Sequence, residues 1–269
     1  MKIENLVRTF GFPTLLTFGD TLVYDRWRWI TRRLPKTRNG ESVLDVGCGT
    51  GAFTIGAALR GYVSHGMSWD EDNHAKAVER AELCAADTAS FEIGDARKLD
   101  TFDGFKDAYD AVLCLEVAEH ILDDRKLFQD IAACLKPGGR LLFTTPNYLY
   151  RAISPEGRGP WSPVENGYHV RRGCTESMLK ELADSAGLAC EEIGQCSGFW
   201  SQKATWLWRQ LQALGPSVAY AVALPIRPIA VLLDTVTLSH LWWPGFSITL
   251  VAQKPRFAGT DDATAQNNS

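Results

Sequence analysis

Many of the usual signposts are missing from this chain of 269 residues. Its seven cysteines, at 48, 84, 114, 134, 174, 190 and 196, form no CxxC pair and fall mostly in apolar segments. That excludes a disulfide framework and reads as reduced, mostly buried thiols of a cytosolic protein. There is no HExxH and no histidine pair spaced i, i+4, so no metal is expected from spacing. A GxSxG nucleophile elbow is absent too, the only similar string being GMSWD at 66–70. Glu4 and Arg8 interrupt the N-terminus where an export signal carries an unbroken apolar run, so no export is expected. The longest apolar tract, Val218 to Leu233, contains Pro225, Arg227 and Pro228 and falls short of the ~20 clean residues of a spanning helix, so no membrane crossing is expected. A formal charge of −4 provides no whole-protein field for nucleic acid or an anionic membrane, which leaves only a local basic patch to attract either, and nucleic acid is not an expected partner. Internal repeats are also lacking.

What is present is alternation. From Ser42 onward short β-branched runs alternate with helical patterns, the signature of βαβ units and a parallel sheet. SVLDV (42–46) is the first strand, with a helix over 51–60. VSHGMSW (63–69) is the second, followed by a long helix over 70–86 with acid in its first turn, where the helix dipole favours it. SFEIGDA (90–96) and YDAVLCLEV (109–117) are the third and fourth. A helix over 123–135 stops at Lys136-Pro137-Gly138-Gly139, and GRLLFTTPN (139–147) is the fifth strand. A helix over 175–186, a strand over 188–195 and a last strand over 246–254 complete the series.

Three segments stand outside it. Residues 1–40, with Phe10, Phe12, Trp27 and Trp29 among basic residues, read as a helical cap on the sheet. Residues 198–244 hold five of the nine tryptophans and read as an apolar helical insertion. Burial of its aromatics against the core is the plain expectation. A lid, a homodimer surface or a membrane-surface contact is the sharper one. The tail, 257–269, is small, polar and aperiodic, and is expected to be disordered. The main domain is therefore assigned to 41–197 and 245–256.

The densest signal is LDVGCGTGAF at 44–53. A strand running into a glycine-rich turn and then a helix exposes backbone to a ligand, and glycine permits close approach. The GxGxxG/A spacing of residues 47–52 is by itself weak. Asp45 discriminates, because a carboxylate beside the turn repels a pyrophosphate but suits a cationic ammonium.

At this point the sequence resembles the class I S-adenosylmethionine-dependent methyltransferases. The resemblance rests on VLDVGCGTG (43–51), GDA (94–96), CLEVAEH (114–120) and LKPGGRLLFTTPN (135–147), in this order, and spans roughly 40–195. It implies a Rossmann-like α/β fold: a seven-stranded, mostly parallel sheet with helices on both faces, extended by the N-terminal helices and the C-terminal insertion. It places Asp45, Gly47, Cys48, Gly49 and Gly51 around the methionine and ribose parts of the cofactor. Asp95, beside Ala96, would meet the adenine amino group. Cys114 and Leu115 would line the sulfonium end, with Glu116 and His120 nearby. At the end of the second strand Ser68 stands where many members have an acid for the ribose, and Trp69 would cover the adenine. This departure resembles the turn of the cyclopropane-synthase-like branch and of several small-molecule methyltransferases.

Beyond the cofactor, His120, His169 and Glu116 are the catalytic candidates. Each histidine reads either as a base or as a structural residue. Tyr24, Tyr148, Trp161, Tyr168 and Trp200 are candidates for an aromatic acceptor wall, to which Tyr150 is close in sequence. The cluster Arg26, Arg28, Arg32, Arg33, Lys36 and Arg38 reads as a solvated helix face, or as an anchor for an acidic group. The expected activity is methyl transfer to a small, hydrophobic acceptor by in-line displacement. The alternatives are methylation coupled to cyclisation of an alkene, a non-catalytic partner-binding protein of the same fold, and an NAD-dependent oxidoreductase. The expected location is cytoplasmic, with peripheral membrane contact if the insertion touches lipid.

Overall fold

A computed structural model describes residues 3–17, 21–153, 155–237 and 242–256. The tail over 257–269 lies outside the described residues.

Among the described residues seven strands form one sheet, ordered β3-β2-β1-β4-β5-β7-β6. They are β1 (Ser42–Val46), β2 (Val63–Ser68), β3 (Ala89–Ile93), β4 (Tyr109–Leu115), β5 (Leu135–Pro146), β6 (Ala189–Cys196) and β7 (Ser247–Gln253). Strands β3, β2, β1, β4 and β5 pair in parallel, while β7 runs antiparallel to both β5 and β6. The helices are α1 (Ile3–Phe10), α2 (Pro13–Thr17), α3 (Thr21–Arg33), α4 (Ala52–Ala58), α5 (Glu71–Leu83), α6 (Asp124–Cys134), α7 (Glu176–Ser185), α8 (Phe199–Gln212) and α9 (Pro216–Thr237).

Side-chain alternation explains the layers, since successive residues of a strand point to opposite faces. Leu44, Val46, Val112, Cys114, Leu141, Phe143, Leu250 and Ala252 join one core with Leu127, Phe128 and Ile131 of α6 and Leu179 and Leu182 of α7. Val43, Leu113, Leu142 and Val251 alternate to the other face and meet Trp27, Trp29 and Ile30 of α3. A third cluster joins α1, α2, α4 and α5 through Val7, Leu15, Ile55 and Ala81. The N-terminal helices therefore cover the sheet, as expected.

Helix starts follow local chemistry. Asp70 accepts the N–H of Asn73 at 2.7 Å, Asp123 that of Lys126 at 2.9 Å and Thr175 that of Met178 at 3.3 Å, each satisfying a donor that the first turn leaves open. Strand β5 starts earlier than expected: Lys136-Pro137-Gly138-Gly139 belongs to its irregular first part, with a register shift against β4.

The largest departures lie in the insertion. It is a helical hairpin, but its aromatics do not all bury: Trp200, Trp206 and Trp242 are exposed. Helix α9 continues through Pro225 and Pro228. Each proline removes a helical donor, and both are exposed. Residues Val218–Val236 thus form a helix long and apolar enough to cross a membrane by length and composition, against expectation.

Candidate active site

Two cavities open at the carboxyl ends of the parallel strands, where the order turns from β1–β2 to β1–β4. That switch point is where open α/β sheets bind ligands.

The first, of about 470 Å³, is lined by Gly47, Gly49, Ser68, Trp69, Asn73, Asp95, Ala96, Arg97, Glu116, Val117 and His120, among others. Gly47, Gly49 and Gly51 all have positive φ, at 73°, 53° and 81°. Their surroundings differ. A Cβ on Gly49 meets nothing within 4 Å and would project into open space, whereas one on Gly51 lies 2.9 Å from Ala77 and Phe91. Gly49 is bare for the cavity; Gly51 is bare for packing.

Asp45 is not in this cavity. It shares the strand face of Val43, so it points under the loop toward α4, is 1 % exposed and accepts a hydrogen bond from Thr54 Oγ1 at 2.7 Å. Burial pushes its carboxyl up to about 7, against the pull of the Thr54 hydrogen bonds. Where the sequence places Asp45 beside a ligand ammonium, the structure shows its carboxyl clasping strand β1 to helix α4. Cys48, like Gly51, is tucked into the protein, and burial raises its thiol far above the usual range. Cys114 and Leu115 are also core residues, one on each face of β4. The chain leaves the sheet only at Glu116, whose φ of +56° turns Glu116 and Val117 to the cavity in their place.

Ser68 and Trp69 line the cavity, Trp69 largely exposed. Asp70 caps α5, while Asn73, absent from the sequence-based set, lines the wall. Asp95 is engaged by Arg97, which donates from its backbone N–H at 3.0 Å and from Nε at 2.8 Å. These bonds hold the Asp95 carboxyl below its ordinary range. Arg97 also pairs with Glu165 at 2.7 Å, tying the cavity rim to the loop after β5.

The second cavity, about 880 Å³, is lined by Leu22, Arg26, Glu116, Glu119, His120, Tyr150, Trp161, Tyr168, His169, Arg209 and Phe246, among others. Glu116 and His120 line both cavities. Thr144 Oγ1 donates to Glu116 at 2.8 Å, and Arg26 pairs with its other oxygen at 3.5 Å. The rings of His120 and His169 meet edge to face at 4.7 Å, and Trp161 stacks on His169 at 6.2 Å. Burial lowers the pKa of both histidines below 6.5, keeping the neutral base at pH 7. Glu119, fully buried, accepts from Thr145 Oγ1 at 3.2 Å; burial first, then Glu116, raises its carboxyl well above the usual range. Glu119, His120 and His169 place ligand atoms within 4.8 Å of one another, a group able to hold a proton or a cation. No chain spacing reveals it, because His169 arrives on a distant loop.

Of the expected acceptor wall, Trp161 and Tyr168 line this cavity. Tyr24, on α3, packs against the core, Tyr148 is exposed beneath Arg172, and Trp200 lies in the first turn of α8 with its backbone N–H donated to Asp234. Tyr150, 2 % exposed and donating to the Gly157 carbonyl at 2.7 Å, is the buried aromatic instead. The basic cluster divides. Arg33 pairs with Glu192 and stacks on Trp29, whereas Arg26 enters the cavity.

This sheet order, glycine turn and paired cavities define a Rossmann-like methyltransferase architecture. The chain belongs to the family of the methyltransferase domain, whose sequence model matches residues 23–193. A ubiquinone biosynthesis O-methyltransferase of Coxiella burnetii is 32 % identical over 182 residues, covering 62 % of this chain and 71 % of its own. A demethylmenaquinone methyltransferase of Clavibacter sepedonicus is 29 % identical over 195 residues, covering 71 % of each chain. Among solved structures, phosphoethanolamine N-methyltransferase 2 of Haemonchus contortus in complex with S-adenosyl-L-methionine has a TM-score of 0.59 at 18 % identity, covering 95 % of this chain and 60 % of that one. The [4+2]-cyclase SpnF has a TM-score of 0.57 at 22 % identity, covering 87 % and 82 %. At these identities the structures establish the fold alone. The protein is an S-adenosylmethionine-dependent methyltransferase acting on a small molecule.

Proposed function

We propose that the chain methylates a hydroxyl of a small, hydrophobic acceptor, with the cofactor in the 470 Å³ cavity and the acceptor in the 880 Å³ cavity. Bound S-adenosylmethionine supplies an electrophilic methyl on a sulfonium. The bare Gly49 backbone and Gly47 suit its methionine part, Ser68 a ribose hydroxyl, and Trp69, Asp95 and Ala96 the adenine. Asp45 acts through the loop it clasps. The observation that carries the reading is that Glu116 and His120 belong to both cavities, with the His169 ring against His120.

A neutral imidazole there takes the hydroxyl proton as the oxygen becomes a nucleophile. Glu116, held by Thr144 and Arg26, sets a fixed negative edge at the junction. Tyr150, Trp161, Tyr168 and Phe246 exclude water and orient an apolar ring. The N-terminal cap and the hairpin form the acceptor's outer wall, through Leu22 and Arg26 of α3 and Arg209 of α8. The relatives named for ubiquinone and menaquinone biosynthesis support an acceptor of quinol or phenol type.

The test is incubation with S-adenosylmethionine and a panel of alkylated phenols, hydroquinones and amines, read by mass spectrometry. An O-methyl ether from a phenolic member is the expected product. Turnover confined to amines or to carbon would overturn the assignment of the acceptor atom.

A further inference from the structure

Helix α9 is inside out with respect to water. Its two charged residues, Arg227 and Asp234, are 2 % and 3 % exposed, whereas Ile229, Leu232 and Val236 are 57–64 % exposed. With Val218, Val222 and Leu233, also exposed, they form one stripe at helical spacing along a helix of 22 residues, about 33 Å at 1.5 Å per residue. The buried side is committed to the body. Asp234 accepts the N–H groups of Trp200 and Ser201 at 3.0 and 2.9 Å, capping α8, and Arg28 of α3 donates to the Val231 carbonyl at 3.3 Å. The apolar side is therefore held outward. Trp206 of α8 and Leu214 of the connecting turn are exposed as well.

The charge of the hairpin selects the occupant. The exposed charges of the two helices among the described residues are Lys203 and Arg209, both cationic. An aliphatic helix face on a hairpin whose exposed charges are cationic and which carries exposed tryptophans suits an anionic bilayer surface. A second copy fits less well, because an isologous contact brings the like charges of two hairpins together. The tail, 257–269, carries one large apolar side chain, Phe257, against a stripe of six.

We propose that the hairpin seats this protein on an anionic membrane, α9 lying in the plane of the interface with its stripe in the acyl boundary. The contacts of Asp234 and Arg28 hold α9 flat against the body, so it rests on the bilayer instead of crossing it. Because Arg209 of α8 also lines the 880 Å³ cavity, the seat brings that cavity's outer wall close to the lipid. A lipid-soluble acceptor then enters without passing through water.

The full chain is floated through a density gradient with vesicles of phosphatidylcholine, alone or mixed equally with phosphatidylglycerol. Co-flotation with the mixed vesicles, weakened by salt, is expected. The double variant Ile229→Glu/Leu232→Glu is expected to lose at least tenfold in partitioning while cofactor binding stays within twofold. In wild type, phospholipids brominated along the acyl chain are expected to quench tryptophan emission from Trp206 and its neighbours, a readout independent of whether the variant folds. Protein that stays at the bottom of the gradient, or emission unquenched by brominated lipid, overturns the proposal. So does a solution dimer that the double variant splits while wild type ignores vesicles. None of these readouts depends on methyl transfer, so the acceptor assignment fails or stands separately.

Discussion

Asp45 carries the clearest consequence at the residue scale. A buried carboxyl raised from 3.8 to about 7 favours the proton in the folded state. Its stabilising contribution is fully present below the unfolded pKa near 4 and is lost as pH rises through 7, at up to about 1.4 kcal/mol per pH unit. Asp45→Asn retains an acceptor for Thr54 and removes the titration. Its melting temperature relative to wild type is expected to rise as pH goes from 5 to 8; parallel curves in thermal melts at several pH values would show that Asp45 does not titrate there. The two histidines have the opposite role. Burial lowers both, so the base form persists into mild acid and the acid limb of kcat/KM is expected below pH 6.5. His169→Ala, in the lining of the 880 Å³ cavity, is expected to lower kcat by about 10²–10⁴-fold with the cofactor Kd unchanged, the range for loss of a general base. Stopped assays alongside calorimetry separate the two effects. The sequence exposed these side chains as chemistry-bearing. It did not expose the face of Asp45, where a shift of one residue along the strand decides between ligand and helix.

The glycine turn separates two functions at the level of the element. Gly49→Ala adds a methyl in open space at positive φ, and is expected to cost about 1 kcal/mol in stability while weakening cofactor binding at least tenfold. Gly51→Ala drives the same methyl against Ala77 and Phe91 and is expected to cost more stability than the Gly49 change. Equal melting temperatures for the two variants would contradict this division. In α9, Pro225→Ala restores a backbone donor on the exposed side. It is expected to stabilise by about 1–3 kcal/mol in chemical denaturation, without altering the cofactor Kd. Most element boundaries were legible because caps and turns are local: Asp70, Asp123 and Thr175 start helices where the sequence put them. The prolines misled because packing of the buried Arg227 and Asp234 side outweighs a propensity summed over single residues.

For the whole molecule, the cavity proposed for the cofactor is a joint product of β1, β2, β4 and the loop after β5. A ligand there links parts of the chain that unfold together. S-adenosylmethionine at a hundred times its Kd is expected to stabilise the fold by about 2.7 kcal/mol, visible as a raised melting temperature, with no shift from NAD. A shift of equal size from NAD would place the cofactor assignment in error.

The sequence alone determined the order of strands and helices, the glycine turn and the resemblance to methyltransferases. Each is written in residues adjacent along the chain, where period-two alternation, caps and bare backbone act over a few positions. Only the tertiary structure decided that Arg26 of α3 meets Glu116 after β4, that Tyr150 and Phe246 replace Tyr148 and Trp200 at the wall, and that α9 turns its aliphatic side outward. Those outcomes depend on sheet order and on which face of each helix the core claims, and such long-range packing leaves no periodic trace in a single chain.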